Sequence, residues 1–476
     1  MRELSITDVI QATGGRLLSQ KNEVFLGIGS DTRISLKGQL FFALKGDAFD
    51  AHKFLKKAVE QGATGLVVHE ETSELASLKT QVTVILVPDT LRALQDLAHF
   101  ERLKSKSLIV GITGSNGKTT SKEFAGAVIS SARQVHLPKG SFNNHWGVPF
   151  TLLAEPKGTQ VSLIEMGMNH AGELQRLCEI AEPDVVVVSM VGRAHIQHFG
   201  TIEKIAEAKE EIYRFSKPDA IRIYNLDNEQ TAQMYSRAHK EFPRARRLMT
   251  FSSRDSKADI YFRIKELTMS SISIEGSVNG VSGEAKVPVF GEQNLTNLMV
   301  ATSCALAVGM TPAEIWSALP RCKTSWGRNQ LVHLKKGAEL LFDAYNANPD
   351  SMKALLDNVK LLKSKGKKIG VFAQMLEMGD LSPQLHQELG ERVGRAGFDV
   401  VWFYGADRVS FERGIQNSKF SKNLVISDTY EDSLASQVFS MIHDHDTVLV
   451  KGSRGMKLER FVMACDPVDF SLKKED

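Results

Sequence analysis

The chain contains little cysteine and no long hydrophobic run. Its 476 residues include only four cysteines. These lack the C-x2-C spacing of zinc and redox motifs, so we interpret them as buried thiols in a reducing compartment and expect a cytoplasmic protein. No segment approaches the roughly 18 apolar residues that span a bilayer, so no membrane insertion is expected. Residues 1–8 carry acidic side chains and no apolar core, so no signal peptide is expected.

The chain also lacks a large excess of charge of either sign. The 59 basic and 56 acidic residues leave a formal net charge of +3, which gives no indication of a nucleic-acid partner. The hydrophobic fraction of 42% is typical of a soluble globular protein. One hydrophobic core rarely serves a chain of this length, so two to four domains are expected. A monomer is the expected oligomeric state.

The most informative segment that is present is GITGSNGKTT at residues 111–120. It follows the apolar run 108–110 and precedes a predicted helix over 118–131, the arrangement in which loop N–H groups and a helix N-terminus bind phosphate. Lys118 is placed to reach the β- and γ-phosphates of a nucleotide, and Thr119 to ligate Mg²⁺. The strict Walker pattern needs a glycine where Ile112 stands, so this loop is a variant. A purely structural turn is the alternative interpretation.

Apolar runs and helical patterns alternate along the whole chain and indicate three α/β domains. We expect a small α/β substrate domain at 1–107, a central P-loop ATPase-type parallel-sheet domain at 108–326, and a C-terminal Rossmann-like, doubly wound domain at 327–476. Strands are predicted at 40–44, 65–68, 82–87, 108–110, 161–167, 184–190, 340–342, 368–372, 400–404, 424–426 and 447–450, with antiparallel strands within 260–289. Helices are predicted at 51–61, 89–104, 118–131, 202–215, 294–309, 350–363, 383–396 and 430–443.

Two polar residues of the central domain come just past the carboxyl ends of predicted strands, where open α/β sheets bind ligands. Glu165 is a candidate Mg²⁺ ligand there. His195 is either a ligand of a second metal or a structural hydrogen-bonding residue. Lys209 lies in a charged predicted helix, and from its neighbours alone it is interpreted as a solvated surface residue.

Polar loops also follow strands in the other two domains. The segment DAYNANPDS at 343–351 lies between a predicted strand and helix and is typical of a binding loop. The segment KGSRG at 451–455 offers two cations for an anionic group such as a carboxylate or phosphate. In the first domain, the segments 30–33 and 44–47 are by themselves interpreted as a turn and a solvated loop.

With these motifs in place, the chain resembles the Mur ligases over all three domains. Its loop has the family's form T-G-[ST]-N-G-K-T, which accounts for the missing Walker glycine. The run YNANP at 345–349 is similar to the branch of the family that uses D-alanyl-D-alanine. The other matching residues are Asn143-Asn144 with Gly147-Val148-Pro149, Glu165-Met166-Gly167 with Asn169-His170, Ala194-His195 with Phe199-Gly200, Ala208-Lys209, Asn294 with Asn297, Gly327-Arg328, Met375-Leu376-Glu377-Met378-Gly379, His386 and Lys451-Gly452-Ser453-Arg454.

The resemblance implies an ATP-dependent ligase of peptidoglycan synthesis. ATP would phosphorylate the carboxylate of UDP-N-acetylmuramoyl-tripeptide, and the amine of D-alanyl-D-alanine would attack the acyl phosphate to give the amide, ADP and phosphate. Mg²⁺ is the implied cofactor, with a carbamylated lysine at Lys209. Because the implied sites for ATP and for the amine lie on separate domains, closure of the domains on ligand is expected.

The resemblance also implies roles for individual residues. The implied catalytic residues are Lys118, Lys209 and His195. The implied ATP contacts are Gly114, Ser115, Asn116, Gly117, Lys118, Thr119, Thr120, Asn294, Asn297, Arg328 and Asp343. The implied metal ligands are Thr119, Glu165, His195 and carbamylated Lys209. The implied substrate contacts are Ser30, Asp31, Thr32, Arg33, Lys45, Gly46, Asp47, Asn143, Asn144, Tyr345, Asn346, Asn348, Ser351, Lys451, Ser453 and Arg454.

The chain departs from the family's pattern at four places, while keeping its phosphate and metal ligands. The departing residues are Arg193 in place of an acid, His145 in place of glutamate, Gln293 in place of histidine, and Ala373-Gln374 in place of Gly-Asp. The alternatives are another ATP-dependent acid–amine ligase, such as the one that adds the third amino acid or a folylpolyglutamate synthetase, and a P-loop phosphotransferase or nucleotide switch. The run at 343–351 argues against the ligase that adds the third amino acid and against a folylpolyglutamate synthetase. A P-loop phosphotransferase or nucleotide switch would not need a third α/β domain.

Overall fold

The computed structural model describes residues 3–46, 49–138, 140–194, 196–361 and 364–472. It confirms the predicted fold class, with a small α/β sheet, a large central sheet that carries the glycine-rich loop, and a doubly wound C-terminal sheet. The boundaries drawn at 107/108 and 326/327 stay predictions. Within these residues, no helix is both long enough and apolar enough to cross a membrane.

The N-terminal sheet has the order β2-β7-β6-β5-β4, with β4 to β7 parallel and β2 antiparallel at the edge. The strands of this domain are β1 (Leu4–Ser5), β2 (Arg16–Ser19), β3 (Val24–Phe25), β4 (Ile28–Gly29), β5 (Leu40–Phe42), β6 (Gly65–Val68) and β7 (Thr83–Leu86). Of these, β1 and β3 form a separate pair outside the sheet. Its helices are α1 (Ile6–Thr13), a 3₁₀ turn (Ala51–Phe54), α2 (Leu55–Glu60), α3 (Leu75–Leu78) and α4 (Thr90–Lys104). The predicted strands and helices all occur here, whereas β1 to β4, α1 and α3 were not predicted.

The central sheet has the order β16-β15-β14-β13-β12-β11-β8-β10-β9. Its strands are β8 (Leu108–Thr113), β9 (Val135–His136), β10 (Val161–Glu165), β11 (Val185–Val188), β12 (Ile221–Asn225), β13 (Leu248–Ser252), β14 (Ile260–Leu267), β15 (Ile272–Val278) and β16 (Val281–Val287). Its helices are α5 (Lys118–Ile129), α6 (Gly147–Leu153), α7 (Glu173–Ala181), α8 (Ile196–Phe199), α9 (Ile202–Phe215), α10 (Glu229–Glu241), α11 (Gln293–Ala307), α12 (Pro312–Ala318) and a 3₁₀ turn (Leu319–Arg321).

The position of β8 in this sheet decides where ligands can bind. It pairs in parallel with β10 on one side and β11 on the other, so the chain reverses its winding direction at β8. Open α/β sheets bind ligands in the crevice at such a switch point. The strands β8 to β14 are parallel, and β14 to β16 form the antiparallel extension that alternation over 260–289 predicted.

The C-terminal sheet has the order β17-β18-β22-β19-β20-β21, parallel except for β17. Its strands are β17 (Gln330–His333), β18 (Glu339–Asp343), β19 (Lys368–Ala373), β20 (Val400–Tyr404), β21 (Asn423–Ser427) and β22 (Thr447–Lys451). Its helices are α13 (Pro349–Leu361), a 3₁₀ turn (Gly379–Leu381), α14 (Ser382–Gly394), α15 (Arg408–Asn417), α16 (Asp432–Ser440), a 3₁₀ turn (Arg454–Met456) and α17 (Glu459–Ala464).

Helix α15 is the main element of this domain that the sequence did not predict. Its polar sequence buries only Phe411, Gly414 and Ile415, and glycine disfavours helix. The glycine has a packing role instead, since a Cβ on Gly414 would lie 2.0 Å from the carbonyl oxygen of Gln387 on α14. Close approach of α14 and α15 thus fixes a helix that periodicity alone does not reveal.

Candidate active site

A large cleft lies between the glycine-rich loop of the central domain and the loops of the C-terminal domain. Its volume is about 1270 Å³, which exceeds the usual size of a site for one small ligand. The predicted site residues that line it are Ser115, Asn116, Gly117, Lys118, Thr119, Thr120, Asn143, Glu165, Asn294, Asn297, Arg328, Asp343, Tyr345, Asn346, Asn348, Ser351 and Lys451. Residues far apart in the sequence therefore share one cavity.

The loop after β8 has the geometry of an anion-binding turn. Gly117, with φ +82°, directly precedes α5, which begins at Lys118. A Cβ on Gly117 would lie 2.3 Å from Asn297 Oδ1, so glycine is required by packing as well as by conformation. Ile112, which stands where a strict Walker loop has glycine, is a buried residue of β8 paired with Glu165 of β10. Ile112 therefore belongs to the strand and not to the phosphate loop.

Lys118 places a cation at the base of this turn. Its side chain is half-buried and its Nζ donates to the carbonyl oxygen of Gly114 at 2.6 Å. Burial lowers the pKa of Lys118, the positive charge of Arg328 lowers it further, and the negative charge of Glu165 opposes both. An anion bound in the loop would favour the charged lysine, so the site is suited to phosphate.

The carboxylate of Glu165 is the natural cation ligand of the cleft. It is 1% exposed, and its Oε1 accepts from Ser141 Oγ at 2.9 Å and from Asn143 Nδ2 at 2.7 Å. Its Oε2 is buried without a hydrogen-bond partner in the described residues. A buried carboxyl oxygen without a partner is costly, and a bound cation would compensate that cost.

The hydroxyl groups beside Glu165 complete a set of hard oxygen ligands. Thr119 Oγ1 lies 3.2 Å from Ser141 Oγ and accepts from Arg328 Nη2 at 3.0 Å. Carboxylate and hydroxyl oxygens, with waters and phosphate oxygens, are what Mg²⁺ prefers. The residues present therefore fit Mg²⁺.

Lys209 and His195 are the other two predicted metal or catalytic residues. The side chain of Lys209 on α9 is only 1% exposed, so its interpretation as a solvated surface residue is wrong. Burial, with a smaller effect from the charge of Lys118, holds the pKa of Lys209 well below its usual value. Lys209 does not line the cleft. His195 lies outside the described residues.

The two asparagines of α11 line the cleft but are largely satisfied by the protein. Asn294 Nδ2 donates to the carbonyl oxygen of Phe290 at 2.7 Å, and Asn297 Nδ2 donates to Asn294 Oδ1 at 2.9 Å. Asn297 Oδ1 accepts from Ser121 Oγ on α5 at 3.1 Å. This network ties α11 to the phosphate loop, and direct contact of these residues with adenine stays a prediction.

The C-terminal domain closes the cleft through contacts with the phosphate loop. Asn348 Nδ2 donates to Asn116 Oδ1 at 2.8 Å, across 232 residues of sequence. Arg328 bonds Thr119, as described above, and its guanidinium stacks over the ring of Tyr345 at 4.2 Å. These contacts bring the loop at 343–351 against the nucleotide loop, which sequence position alone does not show.

The cations predicted at 451–454 are already paired. Lys451 Nζ contacts Asp343 Oδ2 at 2.5 Å, and Arg454 Nη1 contacts Glu459 Oε1 at 2.5 Å. Lys451 lines the cleft, whereas Ser453 and Arg454 do not. Ser453 Oγ instead accepts the backbone N–H of Leu376. The predicted anion-binding role of this segment stays a prediction.

Several other predicted site residues lie outside the cleft lining. The predicted residues in this group are Ser30, Asp31, Thr32, Arg33, Lys45, Gly46, Gly114, Asn144, Lys209, Ser453 and Arg454. Arg33 pairs with Asp31 at 2.7 Å and lowers its pKa, and Asn144 Oδ1 accepts the N–H of Gly147 at the start of α6. Asp47 lies outside the described residues.

Many residues that line the cleft were not predicted as site residues, and three of them bear on its chemistry. Ser141 links Glu165 to Thr119, and the nearby pair Asn143-Asn144 could have drawn attention to it. Asp350 Oδ2 accepts the backbone N–H of Arg193 at 2.6 Å, which places it at the junction of the two domains. Glu377 was noted as part of a motif without a role, and it lines the cleft.

Comparison with known proteins gives consistent matches in all three parts of the chain. Residues 24–102 match the model of the Mur ligase family catalytic domain, 112–305 that of the Mur ligase middle domain, and 327–454 that of the Mur ligase glutamate ligase domain. UDP-N-acetylmuramoyl-tripeptide–D-alanyl-D-alanine ligase of Bacillus subtilis is 33% identical, over 97% of this chain and 98% of that protein. The enzyme of the same name from Escherichia coli is 31% identical, over 92% and 93%.

Solved structures give the same result. A crystal structure of MurF from Acinetobacter baumannii is similar with a TM-score of 0.86 and 27% identity, covering 97% of this chain and 98% of that one. The MurF ligase from Thermotoga maritima, solved in complex with ADP, is similar with a TM-score of 0.76 and 27% identity, covering 92% and 96%.

Proposed function

The chain belongs to the Mur ligase family, and we propose that it joins D-alanyl-D-alanine to the carboxylate of UDP-N-acetylmuramoyl-tripeptide with conversion of ATP to ADP and phosphate. The product is the pentapeptide precursor of peptidoglycan. The observation that carries the proposal is the shared cleft, in which a phosphate loop faces the polar loop of a third α/β domain. A kinase or a nucleotide switch does not need this third α/β domain.

The reaction has to turn a carboxylate into an acyl donor. The substrate carboxylate oxygen attacks the γ-phosphorus of ATP, ADP leaves, and an acyl phosphate results. The dipeptide amine then attacks the carbonyl carbon, and phosphate leaves as the amide forms. Both steps bring anions together, so fixed cations and N–H donors aimed at the phosphates supply the stabilisation. Lys118 and the N–H groups that begin α5 take this role in our proposal.

We propose that Thr119 and Glu165 hold the Mg²⁺ that accompanies ATP, and that His195 contributes to a second metal. When bound, Mg²⁺ supplies charge neutralisation on the phosphate oxygens. The unpaired Oε2 of Glu165 supports this assignment. Asn143 and Ser141 act behind it by orienting the carboxylate through Oε1.

Lys209 is proposed to be carbamylated, which would convert its amine into a carboxylate-like metal ligand. The amine nitrogen attacks CO₂, a C–N bond forms and one proton is released, which requires an uncharged amine. Burial holds the pKa of Lys209 well below its usual value and so favours that uncharged form. Lowering the pH protonates the amine and works against the modification.

We expect ¹³C-bicarbonate to give one carbamate resonance in the NMR spectrum of the protein and none in a Lys209→Met variant. Lys204, an exposed lysine on the same helix, provides the matched control, since Lys204→Met should keep the resonance. The resonance should fade as pH falls, because the amine is then protonated. A fully active enzyme without any carbamate resonance would rule out the modification.

Dipeptide-dependent phosphate release tests the proposed function itself. With ATP and a UDP-N-acetylmuramoyl-tripeptide, ending in either lysine or diaminopimelate, release should be slow until D-alanyl-D-alanine is added, because the acyl phosphate then finds its nucleophile. Turnover that does not depend on the dipeptide, or that needs a UDP-dipeptide and a single amino acid instead, would contradict the proposal.

We also propose that the enzyme is cytoplasmic, since all four cysteines are buried free thiols. Burial raises the pKa of Cys304 and Cys322 to about 12, which keeps these thiols protonated and unreactive. A monomeric state stays a prediction.

A further inference from the structure

The loop 374–379 of the C-terminal domain is held tightly at the edge of the cleft. The side chains of Met375 and Met378 are buried in the domain core. The backbone N–H of Met375 donates to Nε2 of the buried His386 at 2.9 Å, and the N–H of Leu376 donates to Ser453 Oγ at 2.9 Å. Two buried side chains and two hydrogen bonds to side chains therefore fix the backbone on both sides of Glu377.

Glu377 itself adopts a backbone conformation that disfavours a side chain. Its φ of +64° is left-handed, a region that glycine or asparagine enters more easily than glutamate. Strained residues of this kind cluster at functional sites, where the surroundings impose them. Here the left-handed backbone carries an exposed glutamate that lines the same cleft as Tyr345 and Asn346.

Glu377 differs from the other acids that this domain contributes to the cleft. Asp343 is paired with Lys451, and Asp350 accepts the N–H of Arg193. Within the described part of the chain, the carboxylate of Glu377 has no hydrogen bond and no ion pair. The C-terminal domain thus presents one carboxylate without a protein partner to the cleft that also contains the phosphate loop.

That charge is suited to one of the three reacting groups. The γ-phosphate and the substrate carboxylate are anions, which a carboxylate repels, whereas the dipeptide amine has N–H groups to donate and develops positive charge as it reacts. We propose that Glu377 binds the amine of D-alanyl-D-alanine and accepts its proton. This inference rests on the proposed function.

The chemical step balances with Glu377 as the proton acceptor. The uncharged amine, a substantial fraction of an α-amino group near pH 8, attacks the carbonyl carbon of the acyl phosphate. As the C–N bond forms, the nitrogen becomes acidic and passes one proton to the carboxylate of Glu377. The bond between the carbonyl carbon and the bridging oxygen of the acyl phosphate then breaks. Phosphate leaves with the electron pair of that bond.

Glu377→Gln tests the proposal, because glutamine keeps the shape and removes the basic oxygen. We expect kcat/KM for D-alanyl-D-alanine to fall by about 10²- to 10⁴-fold, the usual contribution of a positioned acid or base. The KM values for ATP and UDP-tripeptide should not change. Hydroxylamine, which is uncharged at neutral pH, should still trap the acyl phosphate as a hydroxamate at the wild-type rate.

Two further variants separate chemistry from folding. Glu377→Gly relieves the left-handed strain, so it should unfold at the same or a higher temperature while losing ligation as Glu377→Gln does. Asp380→Asn removes an exposed acid three residues away that does not line the cleft, and it should ligate like the wild type.

The outcomes distinguish this inference from the proposed function. If wild-type enzyme forms no hydroxamate from UDP-tripeptide and ATP, the proposed function fails. If hydroxamate forms but Glu377→Gln ligates normally, or if its defect lies in KM for UDP-tripeptide or ATP, the role given to Glu377 is wrong.

Discussion

Replacing Lys118 with alanine should lower kcat for ligation by about 10²- to 10³-fold, the usual effect of removing one preorganised donor to a developing charge. Nucleotide binding should be reduced much less, because the N–H groups at the start of α5 still face the phosphates. Lys118 acts mainly on the phosphoryl group while it is being transferred, so we expect the loss in kcat. Phosphate release at saturating substrates measures kcat, and the shift of the thermal midpoint by ADP measures binding.

Lys122 offers a control on the same helix. It is fully buried and its Nζ donates to the carbonyl oxygen of Gly140 at 2.7 Å, but it does not line the cleft. Lys122→Met should therefore lower the thermal midpoint while keeping kcat per folded molecule. The role of Lys118 would be refuted if Lys118→Ala lost ADP binding and kcat together, or kept full turnover.

Replacing Glu165 with glutamine should reduce turnover at low Mg²⁺ by about 10- to 100-fold or more. Losses of about 10- to 100-fold are usual even for residues that only hydrogen-bond a metal ligand. The amide keeps an oxygen that can accept from Ser141 and Asn143, so packing is preserved, but the negative charge next to the cation is gone. Higher Mg²⁺ should restore part of the activity. A titration of kcat with Mg²⁺ for both proteins measures the shift.

Glu155→Gln is the matched control for this change. Glu155 is also a buried carboxylate of the central domain, and it accepts from Ser105 Oγ at 2.5 Å and Ser107 Oγ at 2.9 Å. It does not line the cleft, so its loss should affect stability and leave the Mg²⁺ dependence unchanged. Equal Mg²⁺ dependence in Glu165→Gln and the wild type would remove Glu165 from the metal site.

The contacts between the two domains bear on the expected closure around ligands. Arg328 bonds the same Thr119 hydroxyl that is proposed to meet Mg²⁺, and Asn348 bonds Asn116 of the phosphate loop. Closure on ligand itself stays a prediction, and small-angle scattering with and without an ATP analogue and UDP-tripeptide tests it.

The sequence by itself determined the local features of this protein. Glycines followed by Lys-Thr between an apolar run and a helix specify a phosphate loop, because strand, turn and helix start each depend on neighbouring residues. Buried parallel strands such as β11 and β20 are continuous apolar runs, so they are evident without the fold. The position of Glu165 at a strand end followed from the same local pattern.

Tertiary structure alone decided which of these features meet. The pairing of Asn116 with Asn348 joins residues 232 positions apart, and the burial of Lys209 depends on what packs around α9. From the sequence, Lys209 on α9 was interpreted as solvated, because periodicity reports only neighbours along the chain and not the elements that pack against the helix. The left-handed backbone of Glu377 likewise depends on tertiary contacts, since His386, Ser453 and a packed core hold its loop. Long-range packing sets such contacts, and no local pattern encodes them.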